Sequence, residues 1–281
     1  MKCKICSSTT EYYFNQKVLY KYDVAYYKCP SCGFVQTEDP YWLGESYNSA
    51  ITSLDIGMVM RNIACADETA KLISNNLNLN KRFVDYGGGY GLFVRMLRDK
   101  GFDFYRFDTY CENLFAYYFD ISNIDYSKEK FELLTSFEVF EHLENPIEET
   151  EKMLGLSDTI FFSTLLHNGN IPMNWWYLGV THGQHLALYT YDSLEKLAKL
   201  FDCYFYSNGV DKHIISKLEF NHNPLLPIPL PNYNVSISDK IKNKIIKFLQ
   251  PKPKPISKPP EIRESLLQKD YEFLLEKYKK Q

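Results

Sequence analysis

The chain has 281 residues, of which 45% are hydrophobic and 24% are charged. A chain of this length and composition can bury a sizeable core, which excludes a protein that is disordered throughout. Its formal net charge of −3 is too close to neutral to indicate a nucleic-acid-binding protein, so we expect no nucleic-acid partner.

The sequence shows no sign of a membrane segment or of a secretory leader. No hydrophobic run approaches the roughly 20 residues of a transmembrane helix. The stretch from Met1 to Lys4 lacks the apolar character that is typical of a signal peptide. We therefore expect a cytoplasmic protein whose cysteines stay reduced.

Four of the seven cysteines form two Cys-x-x-Cys pairs that are separated by 22 residues. The members of these pairs are Cys3, Cys6, Cys29 and Cys32. Short aromatic and β-branched runs lie between them, so residues 1–37 are predicted to form a small ribbon. Two such pairs in a reduced protein are typical of a structural Zn²⁺ held by four thiolates. The alternative is a pair of redox-active or idle dithiols, while Cys65, Cys111 and Cys203 are expected to be ordinary buried thiols.

A helix of about five turns is predicted ahead of the first strand of the main domain. Its apolar residues recur at spacings of three and four, which places them on one helical face. They are Ile56, Val59, Ile63, Ala66, Ala70, Ile73 and Leu77. We expect this face to pack on the core.

The stretch around which the chain is organised runs from Phe83 to Gly91. An apolar run ends in Asp85, glycines follow, and an apolar helical pattern begins at Leu92. This order of strand, glycine turn and helix is typical of a nucleotide-binding βαβ unit. The dinucleotide pattern G-x-G-x-x-G is excluded because position 92 is leucine. The alternative is an ordinary glycine-rich βα turn of an α/β protein.

The same stretch is similar to motif I of class I S-adenosylmethionine (SAM) methyltransferases, which reads acid-x-G-x-G-x-G. The resemblance implies a SAM site made by a first acid, the glycine loop and a second acid at the end of the next strand. Asp108 supplies that second acid, after the run from Phe104 to Phe107. The residues expected to bind SAM are Asp85, Gly87, Gly88, Gly89, Gly91, Asp108, Ser136 and Glu138.

A second group of site residues follows a strand predicted at 131–136. Glu138, Glu141 and His142 stand at positions i, i+3 and i+4, so on a helix they would share one face. We expect Pro146 to end that helical turn. The remaining predicted elements are a helix at 147–154, a strand at 159–163, a helix at 191–201 and a hairpin at 204–215.

The loop at 164–190 holds three of the six histidines and two of the three tryptophans. It follows a predicted strand at the sheet edge where α/β folds bind their ligands. We expect His182 and His185 to carry the chemistry with support from Glu141 and His142, although a lone histidine is more often structural. Substrate binding is expected from Tyr47, Asp55, His167, Trp175 and Trp176.

Residues 221–281 differ in character from the rest of the chain. They hold nine of the thirteen prolines and a net charge of +6, so we expect a Pro-rich, basic, helical arm. Two amphipathic helices are predicted in it, marked by Ile237, Ile241, Ile245 and Leu249 and by Leu266, Leu267, Leu274 and Tyr278. The arm is expected to pack on its own domain or a partner chain. The alternative is peripheral contact with an anionic membrane or an acidic partner.

The whole pattern over residues 1–220 resembles bacterial zinc-ribbon-bearing class I methyltransferases that are found with surface-polysaccharide and deoxysugar genes. The stretches that carry the resemblance are the cysteine pairs, the glycine motif, EVFEHLENP at 138–146 and WWYLGVTHGQHLALYT at 175–190. The resemblance implies a Rossmann-like α/β domain at 38–220, with a mostly parallel sheet that ends in an antiparallel hairpin. It also implies that Tyr47 and Asp55 face the SAM site.

The function that this resemblance implies is O-methylation of a sugar or glycan precursor, with a small-molecule or glycan acceptor. Sugar C-methyltransferases usually carry a long second α/β domain, whereas only residues 221–281 follow here. One alternative is an RNA methyltransferase that uses the ribbon as its grip, although the ribbon contains no arginine. Another is a non-catalytic scaffold, against which the intact glycine motif and Asp108 argue. The oligomeric state stays open.

Two chemistries are open for the transfer step. In the first, a neutral His182 or His185 takes the proton of the attacking hydroxyl. In the second, the Glu138, Glu141 and His142 face joins His185 to bind a second divalent metal, as in the similar sites of small-RNA 3′-terminal methyltransferases. A purely structural role for Glu141 and His142 is the third possibility.

Overall fold

A computed structural model of the protein describes residues 1–47, 55–227 and 263–278. The strands are β1 (Glu11–Val18), β2 (Tyr22–Lys28), β3 (Val35–Thr37), β4 (Arg82–Tyr86), β5 (Asp103–Phe107), β6 (Leu133–Ser136), β7 (Thr159–Ser163), β8 (Ala187–Leu188), β9 (Tyr204–Ser207) and β10 (Lys212–Ser216). The helices are α1 (Leu43–Ser46), α2 (Met58–Asn76), α3 (Leu92–Asp99), α4 (Pro146–Leu156), α5 (Tyr191–Lys199) and α6 (Leu267–Tyr278).

Six strands form the main sheet in the order β5-β4-β6-β7-β10-β9. The strands from β5 to β7 in this order are parallel, and β10 runs antiparallel to both β7 and β9. Strands β6 and β7 are buried along their whole length, as expected for parallel strands that are covered on both faces. This confirms the predicted Rossmann-like α/β fold, with a mostly parallel sheet that ends in an antiparallel hairpin.

Helices cover both faces of the main sheet. On one face α2 and α3 pack against Phe83 and Leu133, and on the other face α4 and α5 pack against Val84 and Leu134. Neighbouring residues of one strand therefore serve different cores, because successive side chains of a strand point to opposite faces. The three layers leave the carboxyl edge of the parallel strands open for a site.

A smaller antiparallel sheet has the strand order β1-β2-β3-β8. Its first three strands belong to the N-terminal segment, whereas β8 comes from the long loop after β7, with Val35 paired to Leu188. Trp42 and Leu178 belong to the hydrophobic cluster beside this sheet. The predicted ribbon at residues 1–37 therefore shares a sheet with the loop that was expected to carry the chemistry.

The long helix α2 packs as predicted only in its C-terminal half, where Ala66 and Ile73 are buried. Ile56 lies before the helix and is 93% exposed, and Val59 in its first turn is 50% exposed. The reason is that this end of the helix lies beside a cavity, which Met58 lines, and not over the sheet. The predicted apolar face is thus wrong for its first turns.

The segment after β6 does not form the predicted helical face. Glu138 has a φ of 58°, in the left-handed region, and only Phe140–His142 form a turn of 3-10 helix. Pro146 begins α4 and does not end the preceding turn, because the first position of a helix needs no backbone N–H. Glu138 therefore shares no helical face with Glu141.

Of the predicted arm at 221–281, the structure describes residues up to 227 and residues 263–278. The latter contain α6, which confirms the second predicted helix, although Asp270 is buried and Leu267 is exposed. The first predicted helix, marked by Ile237 to Leu249, lies outside the described residues. Within the described ranges, no helix is both long and apolar enough to cross a membrane.

Candidate active site

A cavity of about 1090 Å³ opens at the carboxyl ends of β4, β5 and β6. This is the edge at which open α/β sheets bind ligands. The predicted site residues that line it are Tyr47, Asp55, Asp85, Gly87, Gly88, Gly89, Asp108, Glu138, Glu141, His142, Trp176, His182 and His185. The sequence-predicted residues that the cavity lining does not include are Gly91, Ser136, His167 and Trp175.

The glycine loop turns sharply between β4 and α3. Gly87 has a φ of 73° and Gly91 a φ of 86°, which is the left-handed region that favours glycine. A Cβ at Gly87 would lie 2.6 Å from Val139 Cγ2, and one at Gly91 would lie 2.8 Å from Asn113 Oδ1. The Gly87 N–H donates to the carbonyl of Phe107 at 2.8 Å. The loop therefore requires glycine and is pinned to the end of β5.

Asp108 follows β5 and fixes two backbone turns at once. Its Oδ2 accepts from the Gly89 N–H at 2.9 Å, and its Oδ1 accepts from the N–H groups of Tyr110 and Cys111 at 2.7 Å each. These bonds orient the carboxylate at the edge of the cavity before any ligand binds. Each carboxylate oxygen has lone pairs for more than one donor, so acceptor capacity remains for a ligand.

Asp85 lies near the end of β4, below the glycine loop. Its carboxylate accepts from Thr135 Oγ1 at 2.7 Å, and burial raises the pKa of Asp85 to about 7. Ser136 ends β6 and is also buried, and its hydroxyl has no hydrogen-bond partner among the described residues. Asp85 thus reaches the cavity wall, whereas Ser136 lies behind it and does not contact the cavity.

Glu138 belongs to a chain of charged and polar groups. Its Oε1 accepts from Ser163 Oγ at 2.8 Å, and its Oε2 lies 3.5 Å from Arg61 Nε. Arg61 in turn pairs with Asp55, with 2.7 Å between Nη2 and Oδ2. One guanidinium therefore serves two carboxylates on the cavity wall.

Glu141 is fully buried, and neither of its carboxylate oxygens forms a hydrogen bond of normal geometry within the described part of the chain, although the hydroxyls of Tyr177 and Thr164 lie near it and favour its charged form. Burial, together with the charge of Glu138, raises the pKa of Glu141 to about 8. Its carboxylate, one nitrogen of His142 and one nitrogen of His185 all lie within 4.8 Å of one another. An unpartnered buried carboxyl is costly, so this position has a free acceptor for a proton or a cation.

The histidine turn, residues 179–186, presents two imidazoles with opposite tautomers. Nδ1 of His185 lies 2.6 Å from the carbonyl oxygen of Tyr177. Since a carbonyl only accepts, this Nδ1 carries the proton and Nε2 is left with a free lone pair. Nδ1 of His182 instead accepts from the Gln184 N–H at 3.2 Å, so its Nε2 carries the proton.

Burial determines the charge of the histidine rings. It lowers the pKa of His185 to about 3, and it holds the pKa of His142 well below its usual value. Burial also lowers the pKa of His182. The rings are therefore neutral near pH 7, and Nε2 of His185 carries no proton.

Aromatic side chains line the wider part of the cavity. Tyr47 stacks on Tyr110, with 5.8 Å between ring centroids and 15° between planes, and its hydroxyl lies 3.3 Å from His142 Nδ1. Trp176 lines the cavity with 75% of its surface exposed. These residues place aromatic surfaces and hydrogen-bonding groups at the same opening.

His167 and Trp175 are turned away from the cavity. The backbone N–H of His167 donates to the carbonyl of Tyr189 at 3.0 Å. This bond places the start of the loop beside β8. Trp175 packs against the hydrophobic cluster of the smaller sheet. His167 and Trp175 therefore do not line this cavity, unlike the other residues that were expected to bind substrate.

The four paired cysteines lie together at the far end of the smaller sheet. Sγ–Sγ distances are 3.7 Å for Cys3 and Cys32, 3.5 Å for Cys6 and Cys29, and 3.7 Å for Cys6 and Cys32. Four sulfurs at about 2.3 Å from a tetrahedral zinc would be about 3.8 Å apart. The residues present therefore fit a four-thiolate metal site, and the distances exclude disulfides between these atoms.

A family model described as a methyltransferase domain matches residues 60–207, which is just over half of the chain. The chain belongs to this methyltransferase family. It is a SAM-dependent methyltransferase, whose glycine loop and acids occupy the part of the fold that the match covers. A comparison with curated proteins finds no match.

Solved structures with a similar fold are also methyltransferases. The plantazolicin methyltransferase BpumL in complex with SAH is 14% identical, with a TM-score of 0.39 over 61% of this chain and 93% of that chain. An O-methyltransferase family 2 protein from Planctomyces limnophilus in complex with apigenin is 12% identical, with a TM-score of 0.38 over 63% and 65%. Human N-acetylserotonin methyltransferase in complex with SAM is 12% identical, with a TM-score of 0.37 over 63% and 65%. These values are too low to assign a substrate to this methyltransferase.

The active site of this methyltransferase also contains residues that no motif marked. Arg61 lies on the polar side of the predicted helix α2 and Tyr110 follows β5, and neither belongs to a sequence motif. Tyr177 and Gln184 stand inside the stretch at 175–190, so the resemblance of that stretch was the available signal for them.

Proposed function

We propose that this methyltransferase transfers the methyl group of SAM to a hydroxyl of a sugar or glycan precursor of a bacterial surface polysaccharide. The cavity supports this because it has two sides, with the glycine loop and Asp108 on one and the histidine turn and Trp176 on the other. The acceptor class is supported by the resemblance of residues 1–220 to methyltransferases of polysaccharide and deoxysugar pathways.

The donor side is proposed to bind SAM, which supplies the methyl group. Asp108 is proposed to accept from the ribose hydroxyls, and Asp85 and Glu138 to bind other polar groups. The backbone at Gly89 is open, since a Cβ there would have no atom within 4 Å. Gly91 and Ser136 lie outside the lining, so we assign them to the support of the loop and of β6.

We place proton transfer on Nε2 of His185, and the observation that carries this is the bond from its Nδ1 to Tyr177. The acceptor hydroxyl loses its proton to Nε2 while its oxygen attacks the methyl carbon and the carbon–sulfur bond breaks. Glu141 lies within 4.8 Å of His185 and would stabilise the resulting imidazolium in its ionised form. The Nε2–H of His182 serves as a donor to the acceptor.

The acceptor side is proposed to hold a sugar ring against aromatic surfaces. Tyr47, Tyr110 and Trp176 line the opening, and Asp55 lines the wall beside Arg61. Aromatic faces pack against the C–H groups of a sugar, while the carboxylate and the phenol bind its hydroxyls.

The same cluster supports a second mechanism, in which Glu141, His142 and His185 hold a divalent cation. The observation that favours it is the buried carboxyl of Glu141, whose oxygens form no hydrogen bond of normal geometry with the described residues. Such a cation would lower the pKa of the acceptor hydroxyl and orient it. Glu138 is not in this ligand set, because Ser163 and Arg61 already bind it.

We also propose a structural Zn²⁺ at Cys3, Cys6, Cys29 and Cys32. Four thiolates leave no open coordination position, so the ion would stabilise the ribbon and not act on substrate. Such a site needs reduced thiols, which supports a cytoplasmic location. We divide the chain into the ribbon at 1–37, the SAM-binding domain at 38–220 and the arm at 221–281. Membrane contact by this arm remains a prediction.

The test is a turnover screen with labelled SAM and a panel of nucleotide-sugars and capsule oligosaccharides. With an acceptor in hand, His185→Ala should lower the rate by about 100- to 10,000-fold while SAM still binds. His167→Ala is the matched control, since it removes a histidine of the same loop that does not line the cavity. Equal rates for the two variants would disprove the assignment to His185.

Chelation then separates the two mechanisms. If EDTA abolishes turnover and Mg²⁺ or Mn²⁺ restores it, His185 is a metal ligand beside Glu141 and His142. If turnover is indifferent to EDTA, the cation mechanism is wrong and His185 acts as the base.

A further inference from the structure

The histidine turn is held by residues of the N-terminal segment. The carbonyl oxygen of Gly183 accepts from the indole N–H of Trp42 at 2.8 Å and from the hydroxyl of Ser46 at 3.3 Å. In return, the side-chain amide of Gln184 donates to the backbone carbonyl of Ser46 at 2.7 Å. Three hydrogen bonds thus join the middle of the turn to α1 and to the residue before it.

Both ends of the turn are anchored to the smaller sheet as well. The N–H of Leu19 donates to the carbonyl of Val180 at 2.8 Å. The N–H of Thr37 donates to the carbonyl of Leu186 at 3.1 Å. The backbone that carries the two histidines is therefore fixed before, between and after them by residues of the first 46 positions.

The surroundings of Gly183 are buried and leave no space for a side chain. Trp42 is 1% exposed, and Ser46 and Gln184 are buried. A Cβ at Gly183, which has a φ of 69°, would lie 2.7 Å from Val18 Cγ1 and 2.8 Å from Ser46 Oγ. A buried carbonyl that loses its donors is destabilising, so the turn strongly prefers this one position.

We propose that Trp42 and Ser46 are positioning residues that set the orientation of His182 and His185. Neither lines the cavity, so they act on the two histidines through the backbone of the turn. The N-terminal segment, residues 1–46, would then build the acceptor side of the active site, while the main sheet builds the donor side. The inference rests on the proposed function for the role of the two histidines.

The test follows the tautomer of each histidine by long-range ¹H–¹⁵N NMR in the full chain, labelled with ¹⁵N-histidine. In the wild type we expect His185 with its proton on Nδ1 and His182 with its proton on Nε2. Trp42→Phe keeps an aromatic ring but removes the N–H, so both signals should shift and a second tautomer should appear. Thr150→Val removes a buried hydrogen bond of 2.7 Å in α4 and should leave both signals unchanged.

SAH is the second probe, because it reports on the donor side alone. Its Kd, measured by calorimetry, should stay within about twofold of the wild type in Trp42→Phe. If SAH binding is lost together with the histidine signals, the variant acts on the whole domain and the inference is wrong. If Trp42→Phe does not fold, Ser46→Ala replaces it, with a smaller shift expected because its bond is longer. Unchanged signals in a folded variant would overturn the inference.

Turnover distinguishes this inference from the proposed function. With an acceptor from the screen, Trp42→Phe should lower kcat by about 10- to 100-fold at an unchanged KM for SAM. If His185→Ala turns over normally, the proposed function fails whatever the NMR result. If His185→Ala is slow but Trp42→Phe and Thr150→Val turn over alike, the positioning role fails.

Discussion

Replacing Asp270 with asparagine tests how the C-terminal helix packs on its own domain. The buried carboxylate of Asp270 accepts from Nε and Nη2 of Arg98 at 2.8 Å each and from Nη1 of Arg95 at 2.9 Å. Arg98 is itself buried on α3. This pair is therefore the main polar link between α6 and the SAM-binding domain among the described residues.

The expected loss of stability follows from what remains around Arg98. Breaking a buried ion pair from one side costs about 3 to 5 kcal/mol. Asp103 and the carbonyl of Phe104 still accept from Arg98, at 2.7 and 2.9 Å, so we expect the lower end, about 3 kcal/mol. If α6 came off the domain, water would solvate Arg98. The loss of stability in Asp270→Asn therefore cannot exceed the free energy with which α6 docks.

Urea unfolding of the full chain measures this loss. Asp99→Asn is the matched control, because Asp99 pairs with Arg95 at 2.8 Å but is 45% exposed, and its loss should cost less than about 1 kcal/mol. Trypsin should also cut the Asp270→Asn variant faster at Lys269. Equal free energies of unfolding for the two variants would refute the idea that a buried pair holds the arm.

Three further predictions concern the donor side and the ribbon. Asp108→Ala should weaken SAH binding by about 10- to 100-fold in calorimetry, and an unchanged affinity would exclude the ribose role. Elemental analysis should find one zinc per chain, and Cys29→Ser should lose it and unfold at lower urea; a zinc-free, equally stable wild type would contradict the site. Burial raises the pKa of Asp85 to about 7, so the folded state resists ionisation and stability should fall as pH rises from about 4 to 7, by about 4 kcal/mol. Asp85→Asn should reduce this slope in urea titrations, with the part due to Glu141 left in place, and identical slopes would show that Asp85 does not contribute to it.

The main sheet was predictable because its strands carry local signals. Apolar runs mark β6 and β7, and the glycine turn marks the end of β4. The hairpin between β9 and β10 follows from Asn208, whose side-chain oxygen accepts from the N–H groups of three residues that follow it. None of these features needs a partner from a distant part of the chain.

Glu138 shows where local reasoning fails. Its spacing from Glu141 predicted a shared helical face, but its N–H and its carboxylate both bind the hydroxyl of Ser163. That partner lies 25 positions away and stabilises the left-handed φ of 58°. A spacing pattern contains no information about such a bond, so the set of residues around His185 could be predicted only in part.

The prediction for the loop at 164–190 held only in part, for a related reason. His167 and Trp175 were expected to bind substrate, but they do not line the cavity, whereas Trp176, His182 and His185 do. A loop has no periodicity that separates residues facing a site from residues facing a core. The pairing of β8 with β3 determines which part of the loop packs beside the smaller sheet. This pairing joins two segments that are about 150 residues apart in the chain.

Glu141 was expected at the active site from the sequence, but only the fold shows that its carboxyl is fully buried. An unpartnered buried carboxyl is destabilising, so replacing it with an apolar side chain of similar length should stabilise the metal-free protein. We expect Glu141→Met to raise the free energy of unfolding by about 1 to 3 kcal/mol while turnover is lost. Stability and activity would then change in opposite directions, which is typical of an active-site residue.

Glu138→Met is the matched control, because it removes a carboxylate that does have partners. It leaves Ser163 and Arg61 without their acceptor, so the free energy of unfolding should fall. Urea unfolding of both variants with EDTA present gives the comparison. If Glu141→Met destabilises the protein as much as Glu138→Met does, then Glu141 has a structural role. The cation mechanism would then lose its carboxylate ligand, and the base mechanism would lose the group assigned to stabilise the imidazolium of His185.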